Sequence, residues 1–173
     1  MSKIIIILII LILVIAFLIW QPWNIKDMSG WKAYKNKQYG FEIKYPENWV
    51  KEKTKNDYIK FFIPEKVANL GPNELTIRIY QKPDRTSLDE WIKKLKEIKS
   101  EAEIQGKISE IKPYTVNNTD FYLIDLTNFM GGNILANAFI ERNNFVIRIE
   151  KDILSQKDRE TFKQILSTFR FIN

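Results

Sequence analysis

Seventeen apolar residues follow one another without a break from Ile4 to Trp20 (IIIILIILILVIAFLIW). As a helix the run rises roughly 25 Å, the short end of what spans a hydrocarbon core of about 30 Å. Trp20 and Trp23 bracket its outer end, where indoles favour the headgroup layer, and Pro22 stands where the helix must stop. A cleaved secretory signal would have a shorter apolar core followed by small residues at a processing site. Here Gln21-Pro22-Trp23-Asn24-Ile25 follow, and any cleavage pair ending at Ser29 or Gly30 puts Asp27 or Met28 where a small residue is needed. No cysteine is present to carry a lipid. The expectation is an uncleaved transmembrane signal-anchor over 1–23, a linker over 24–30 and one domain over 31–173.

Counting lysines alone places that domain inside, because only Lys3 precedes the run while Lys26, Lys32, Lys35 and Lys37 follow it. A single terminal anchor with so small a basic head behaves instead as a signal-anchor, and long domains cross largely regardless of charge. The expected location is therefore the cell membrane, single-pass, with the C-terminal domain extracytoplasmic.

Residues 31–173 suffice for one domain with a real core. The 173-residue chain has 27 basic and 21 acidic residues. The excess lies early: Trp31–Lys99 holds 16 basic and 10 acidic residues, Ser100–Asn173 only 9 and 10. A solvated surface explains this, and attraction to an anionic lipid or wall polymer is the functional alternative. With neither histidine nor cysteine, the chain lacks Ser-His-Asp and Cys-His catalysis, zinc sites of the usual N/S kind, haem and iron–sulfur ligation, and disulfides. No cofactor is expected.

Periodicity sets out the domain. Trp31–Gln38 is polar and reads as a lead-in. Tyr39–Tyr45 alternates, putting Phe41, Ile43 and Tyr45 on one strand face, and Trp49 returns to the core after the Pro46-Glu47-Asn48 turn. Tyr58–Ile63 and Leu75–Tyr80 read as strands, with one helical turn over Pro64–Leu70 between them. Ser87 and Glu90 form a capping box, after which Leu88, Trp91, Ile92, Leu95 and Ile98 make one apolar helical stripe. Asp89 with Lys93 and Glu90 with Lys94 make acid-first pairs on the opposite face.

The second half reads as a meander. Lys107–Val116 is an edge or interrupted strand because of Pro113. Turns at Asn117-Asn118, Gly131-Gly132 and Arg142-Asn143-Asn144 separate strands over Asp120–Thr127, Asn133–Glu141 and Phe145–Glu150. A last helix begins near Ser155 and buries Phe162, Ile165, Leu166 and Phe169. Two separated helices and at least six antiparallel strands make an α+β domain. Tyr122-Leu123-Ile124 is apolar on both strand faces, so the sheet is expected to be covered on each side.

Trp31, Tyr34, Asn36, Tyr39-Gly40-Phe41, Ile43, Tyr45-Pro46 and Trp49 spell W-x-x-Y-x-N-x-x-Y-G-F-x-I-x-Y-P-x-x-W. The pattern resembles the opening of PsbP-like domains and of related exported bacterial domains of unknown function. Ile165–Phe171 looks like the closing helix of the same group. The resemblance implies the Mog1/PsbP-like sandwich, an antiparallel sheet flanked by helices, here preceded by one transmembrane helix. It implies little about activity, since the plant proteins are soluble photosystem subunits and other branches are linked to small GTPases or to envelope functions.

Three sets of residues are candidates for function. Lys51, Lys53, Lys55 and Lys60 cluster around one loop, as a solvated turn or a contact for anionic lipid or wall polymer. Thr76, Arg78 and Tyr80 share one strand face and Arg148 and Glu150 another, as cross-strand ion pairs on an open face or as a polar pocket. Asp120 and Asp125 lie on one strand but five residues apart, hence on opposite faces, a poor pair for glycoside hydrolysis. Asn117-Asn118-Thr119 matches a glycosylation sequon, and there is no P-loop, G-x-S-x-G or EF-hand loop. Aromatics fall on core positions rather than among lysines, which argues against nucleic acid. The expected role is a membrane-tethered envelope module that binds a protein partner in a membrane complex, with an anionic lipid or wall polymer second. A carboxylate-dependent hydrolase acting on envelope material is the alternative from another class.

Overall fold

The computed structural model describes residues 28–52, 55, 57–64, 75–83, 85–102, 106–128 and 134–172, with side chains omitted at 96–102, 106–107 and 128. The chain divides into units Met1–Gly30 and Trp31–Asn173. Trp20, Trp23, Lys53, the Gly131-Gly132 turn and all but the first residue of the Pro64–Leu70 turn lie outside the described residues, as does the apolar run. Among the described residues no helix is long and apolar enough to cross a membrane.

The eleven strands and two helices described are β1 (Lys32–Asn36), β2 (Phe41–Tyr45), β3 (Val50–Lys51), β4 (Tyr58–Phe62), β5 (Leu75–Gln81), α1 (Leu88–Ala102), β6 (Gly106–Ile108), β7 (Lys112–Val116), β8 (Thr119–Asn128), β9 (Ile134–Arg142), β10 (Phe145–Ile153), α2 (Gln156–Ser167) and β11 (Arg170–Phe171). All paired strands are antiparallel. A small sheet has the order β1-β2-β11; the large sheet runs β3-β4-β5-β10-β9-β8-β6, with β7 also on β8. The interruption expected near Pro113 is the Ser109–Ile111 break between β6 and β7, and both pieces return to the same edge of β8.

The Trp31–Gln38 segment is not a lead-in. It forms β1, in register with β2 from Lys32↔Tyr45 to Asn36↔Phe41. Strand β10 runs to Ile153, three residues beyond the expected end, because its outward positions remain paired to β9. Hairpin turns fall at Asn117-Asn118 (φ 48° and 59°) and at Asn143 (φ 55°), positions where asparagine tolerates the left-handed region.

Alternation along the strands gives the large sheet two buried faces. Phe61, Leu75, Ile77, Phe121, Ala136, Ala138, Ile147 and Ile149 face one core together with Phe41 and Ile43 of the small sheet and Phe162, Ile165 and Leu166 of α2. Helix α2 packs on β10 and β2. Leu88 and Ile92 of α1 cover the other face over Ile124, Leu126, Phe139 and Val146. Ser155 caps α2 by accepting from the Asp158 N–H at 3.2 Å. Ser87 caps α1 by accepting from the Glu90 N–H at 3.4 Å. The Ser87 hydroxyl donates to Asp89 at 2.6 Å, so Asp89 rather than Glu90 answers the cap.

Candidate functional site: a carboxylate-lined cleft

The first turn of α1, the β7–β8 hairpin, the end of β9 and β11 surround a cleft of about 500 Å³. Thr86, Ser87, Leu88 and Asp89 come from the first turn, and Asn118, Thr119, Asp120 and Tyr122 from the hairpin and β8. Ile140, Glu141 and Phe171 complete the lining. Apolar surface from Leu88, Tyr122, Ile140 and Phe171 thus lies beside three carboxylates.

Each carboxylate is held. Asp89 accepts from Ser87 and sits 3.0 Å from Lys93; the Ser87 hydrogen bond and then Lys93 lower its pKa to about 2. Asp120 accepts from the Thr115 hydroxyl at 2.6 Å. Glu141 pairs with the buried Lys82 at 3.1 Å, whose ammonium also donates to the Thr86 carbonyl. Lys82 thus ties the approach to α1 to strand β9. Phe171, 37% exposed, is fixed by edge contact with Phe169 at 5.2 Å and by the Arg142 guanidinium 4.7 Å above its ring. Arg142 also donates to the Gly40 and Ile172 carbonyls. Among the described residues no three carboxylate side chains are grouped to hold a metal ion.

The polar residues expected on an open sheet face are mostly enclosed. Register sets Arg148 opposite Arg78 and Phe139, and Glu150 opposite Thr76 and Asn137. Arg148 is 2% exposed; it donates to Asn137 at 2.8 Å and pairs with Glu150 at 3.2 Å. Glu150 pairs in turn with Arg78 at 2.8 Å, and Arg78 lies 4.8 Å over the Tyr58 ring. The Glu150 oxygen facing Arg78 is close enough for an ion pair but off the line of a hydrogen bond. A cavity of about 20 Å³ lies beneath α1 beside Asn137 and Arg148, room for about one water. The array is an ion-paired ladder inside the sheet–helix layer, not a pocket for a larger ligand.

Of the four candidate lysines, Lys51 and Lys55 are exposed and Lys60 is half-buried. Lys51 pairs in register with the core residue Phe61 and lies 5.5 Å from the Tyr34 ring, while Lys60, next to Phe61, points to the other face. Lys51 and Lys60 therefore face opposite sides of the β3–β4 pair. Asp120 and Asp125 diverge as expected, Asp125 pairing with Arg159 of α2 at 3.1 Å. Asn117 spends its side-chain amide on the Ser167 carbonyl at 2.7 Å.

Of the cleft, the sequence singled out Asp120 as one of a poor catalytic pair and Asn118-Thr119 as part of a sequon, but not the cleft itself. Its lining comes from four separated segments, and only the final strand pairing brings Phe171 to it.

No family model matches this chain, nor does any curated protein. Solved structures do. A cyanobacterial PsbP (CyanoP) from Synechocystis superposes with a TM-score of 0.65 at 13% identity, over 84% of this chain and 95% of that one. The fold is that of PsbP and Mog1. The yeast Ran-binding protein Mog1p, from Saccharomyces cerevisiae, gives 0.55 at 10% identity over 83% and 96%. A Bacteroides thetaiotaomicron protein gives 0.58 at 12% identity, over 83% of this chain and 49% of that one. In this PsbP/Mog1-like fold, the cleft lies where the ends of both sheets meet the start of α1.

Proposed function

We propose that this chain is a single-pass membrane protein whose 31–173 domain stands outside the cytoplasm and binds a protein partner rather than catalysing a reaction. The apolar run Ile4–Trp20 supports the anchor, with Trp20 and Trp23 at the interface. The cleft is the observation that carries the binding role. Its apolar floor of Leu88, Tyr122 and Phe171 beside Asp89, Asp120 and Glu141 suits a polypeptide segment bearing a cation next to an apolar side chain. Mog1p, of similar fold, is a Ran-binding protein, which offers precedent for protein binding without naming a partner here.

Hydrolysis through carboxylates needs one carboxyl held protonated near neutrality. Asp89, which accepts from Ser87 and pairs with Lys93, is instead held near 2, so it stays ionised. That chemistry favours binding.

Photo-crosslinking in intact cells, from a probe placed at Asn118, is expected to trap one defined protein in the membrane fraction. Asp120→Lys with Phe171→Ala should abolish that adduct while the chain stays in the membrane. An adduct unaffected by the cleft variant, or lipid as the sole product, would defeat the binding reading. Protease added to intact cells should degrade the domain; complete protection would defeat the orientation.

A further inference from the structure

The outer face of the small sheet carries cations that no site above uses. Register sets Lys35, Glu42 and Arg170 in one row across β1, β2 and β11, with Lys44 and Ala33 in the adjacent row of the same face. Strands about 4.8 Å apart and same-face residues about 7 Å apart put the three cations within roughly 10 Å of one another.

The one acid of this face is hidden. Glu42 is 3% exposed, with Lys35 at 3.3 Å and Arg170 at 2.8 Å. Those two side chains keep 58% and 64% of their surface in solvent. Glu42 thus positions the cations while the cations face outward. Lys37, exposed just past the end of β1, extends the patch, whereas Lys32 pairs with Tyr45 and so belongs to the other face of the sheet. Among the described residues neither Lys37 nor Lys44 enters an ion pair.

We infer that this face docks on the anionic headgroups of the bilayer in which the chain is anchored, an inference that rests on the anchor reading above. Trp23 and Lys32 are nine residues apart in sequence, and even full extension spans no more than about 30 Å. An anchor there would leave β1 within reach of the headgroup layer. Juxtamembrane lysines are drawn to anionic lipid within a Debye length, about 8 Å at physiological salt. Strongly hydrated ammonium groups on flexible stems suit a diffuse array of headgroups better than one fixed phosphate, which calls for a planar guanidinium fork.

The test uses the full chain in vesicles of phosphatidylcholine, alone or mixed with phosphatidylglycerol. A dye on Asn48→Cys, unique because the chain has no cysteine, reports energy transfer to a headgroup acceptor. Transfer should rise on the anionic vesicles and vanish at about 1 M salt, where the Debye length is about 3 Å. Lys37→Glu/Lys44→Glu breaks no ion pair named above, and it should lower the docked-to-undocked ratio roughly twenty-five-fold, about five-fold per lysine. An unchanged melting curve of that variant confirms its fold. Equal transfer on neutral vesicles, or an undiminished signal in the variant, overturns the inference. So does loss on Lys51→Glu/Lys55→Glu with the Lys37→Glu/Lys44→Glu variant intact, which would move the contact to the β3–β4 loop. Retention on neutral vesicles in high salt tests the anchor separately: a chain that floats only with anionic vesicles refutes the anchor and leaves the cationic face standing.

Discussion

At the residue scale the instructive position is Glu42, a carboxylate on the outer face of an edge sheet that is nonetheless enclosed. Burial alone would raise its pKa, but the ion pair with Lys35 and the hydrogen bond and charge of Arg170 outweigh burial and hold it below the ordinary carboxylate value. A depressed folded pKa adds stability that is full above the unfolded value, near 4.3, and is lost as pH falls through the folded one. Wild type should therefore exceed Glu42→Gln in urea midpoint at pH 7, and the gap should close as pH drops below about 4. Lys35→Ala with Arg170→Ala should cost more than Glu42→Gln, about 2 kcal/mol. That is less than the 3–5 kcal/mol for a sealed pair, because water reaches the site once the half-exposed cations are gone. Adding Glu42→Gln to that double variant should restore part of the loss; a further loss would contradict the argument. Alternation predicted Phe41, Ile43 and Tyr45 as buried, and they are. It had no means to predict Glu42, whose partner Arg170 lies 128 residues along the chain. Gly40 has a φ of +65°, which excludes most side chains, and a Cβ there would lie 3.0 Å from the Ile172 carbonyl oxygen.

At the element scale, legibility tracks how local the cause is. Ser155 was readable as a helix start because its hydroxyl and the Asp158 N–H are three residues apart. Ser155→Ala should cost about 1 kcal/mol in thermal or urea unfolding. Ser155→Asp should recover most of it, because an acceptor at the cap also meets the helix dipole favourably; equal loss in both variants would assign the effect to packing instead. Strand β1 was missed because Lys32 and Lys35 interrupt its apolar pattern and its inward residues are polar-edged. Asn36 is buried, with its side-chain amide donating to the Tyr34 hydroxyl at 3.1 Å and its carbonyl accepting from the Tyr39 N–H at 3.2 Å. The two-residue strands β3 and β11 carry no periodicity at all. They exist because β4 and β2 offer them a free edge.

At the scale of the whole molecule the large sheet divides two unequal cores. The α2 side joins residues of both sheets and one helix in a single cluster, whereas among the described side chains the α1 side shows six buried residues, two of them, Leu88 and Ile92, from the helix. That both faces would be covered was legible in Tyr122-Leu123-Ile124. The inequality was not, because it depends on the small sheet closing over one face only. Fewer buried contacts imply a lower free energy of local opening. The first turn of α1 also supplies Ser87, Leu88 and Asp89 to the cleft. Opening of α1 would therefore reshape the cleft without unfolding β9 and β10. Native-state hydrogen exchange should show α1 amides exchanging through a sub-global opening, faster than those of β10 and α2. Ile92→Ala, which removes a side chain 1% exposed, should cost about 2–5 kcal/mol of local stability. It should accelerate α1 exchange by at least ten-fold while leaving β10 protection nearly unchanged. If β10 protection falls in step with α1, the two cores unfold as one unit, and the cleft is as rigid as the sheet beneath it.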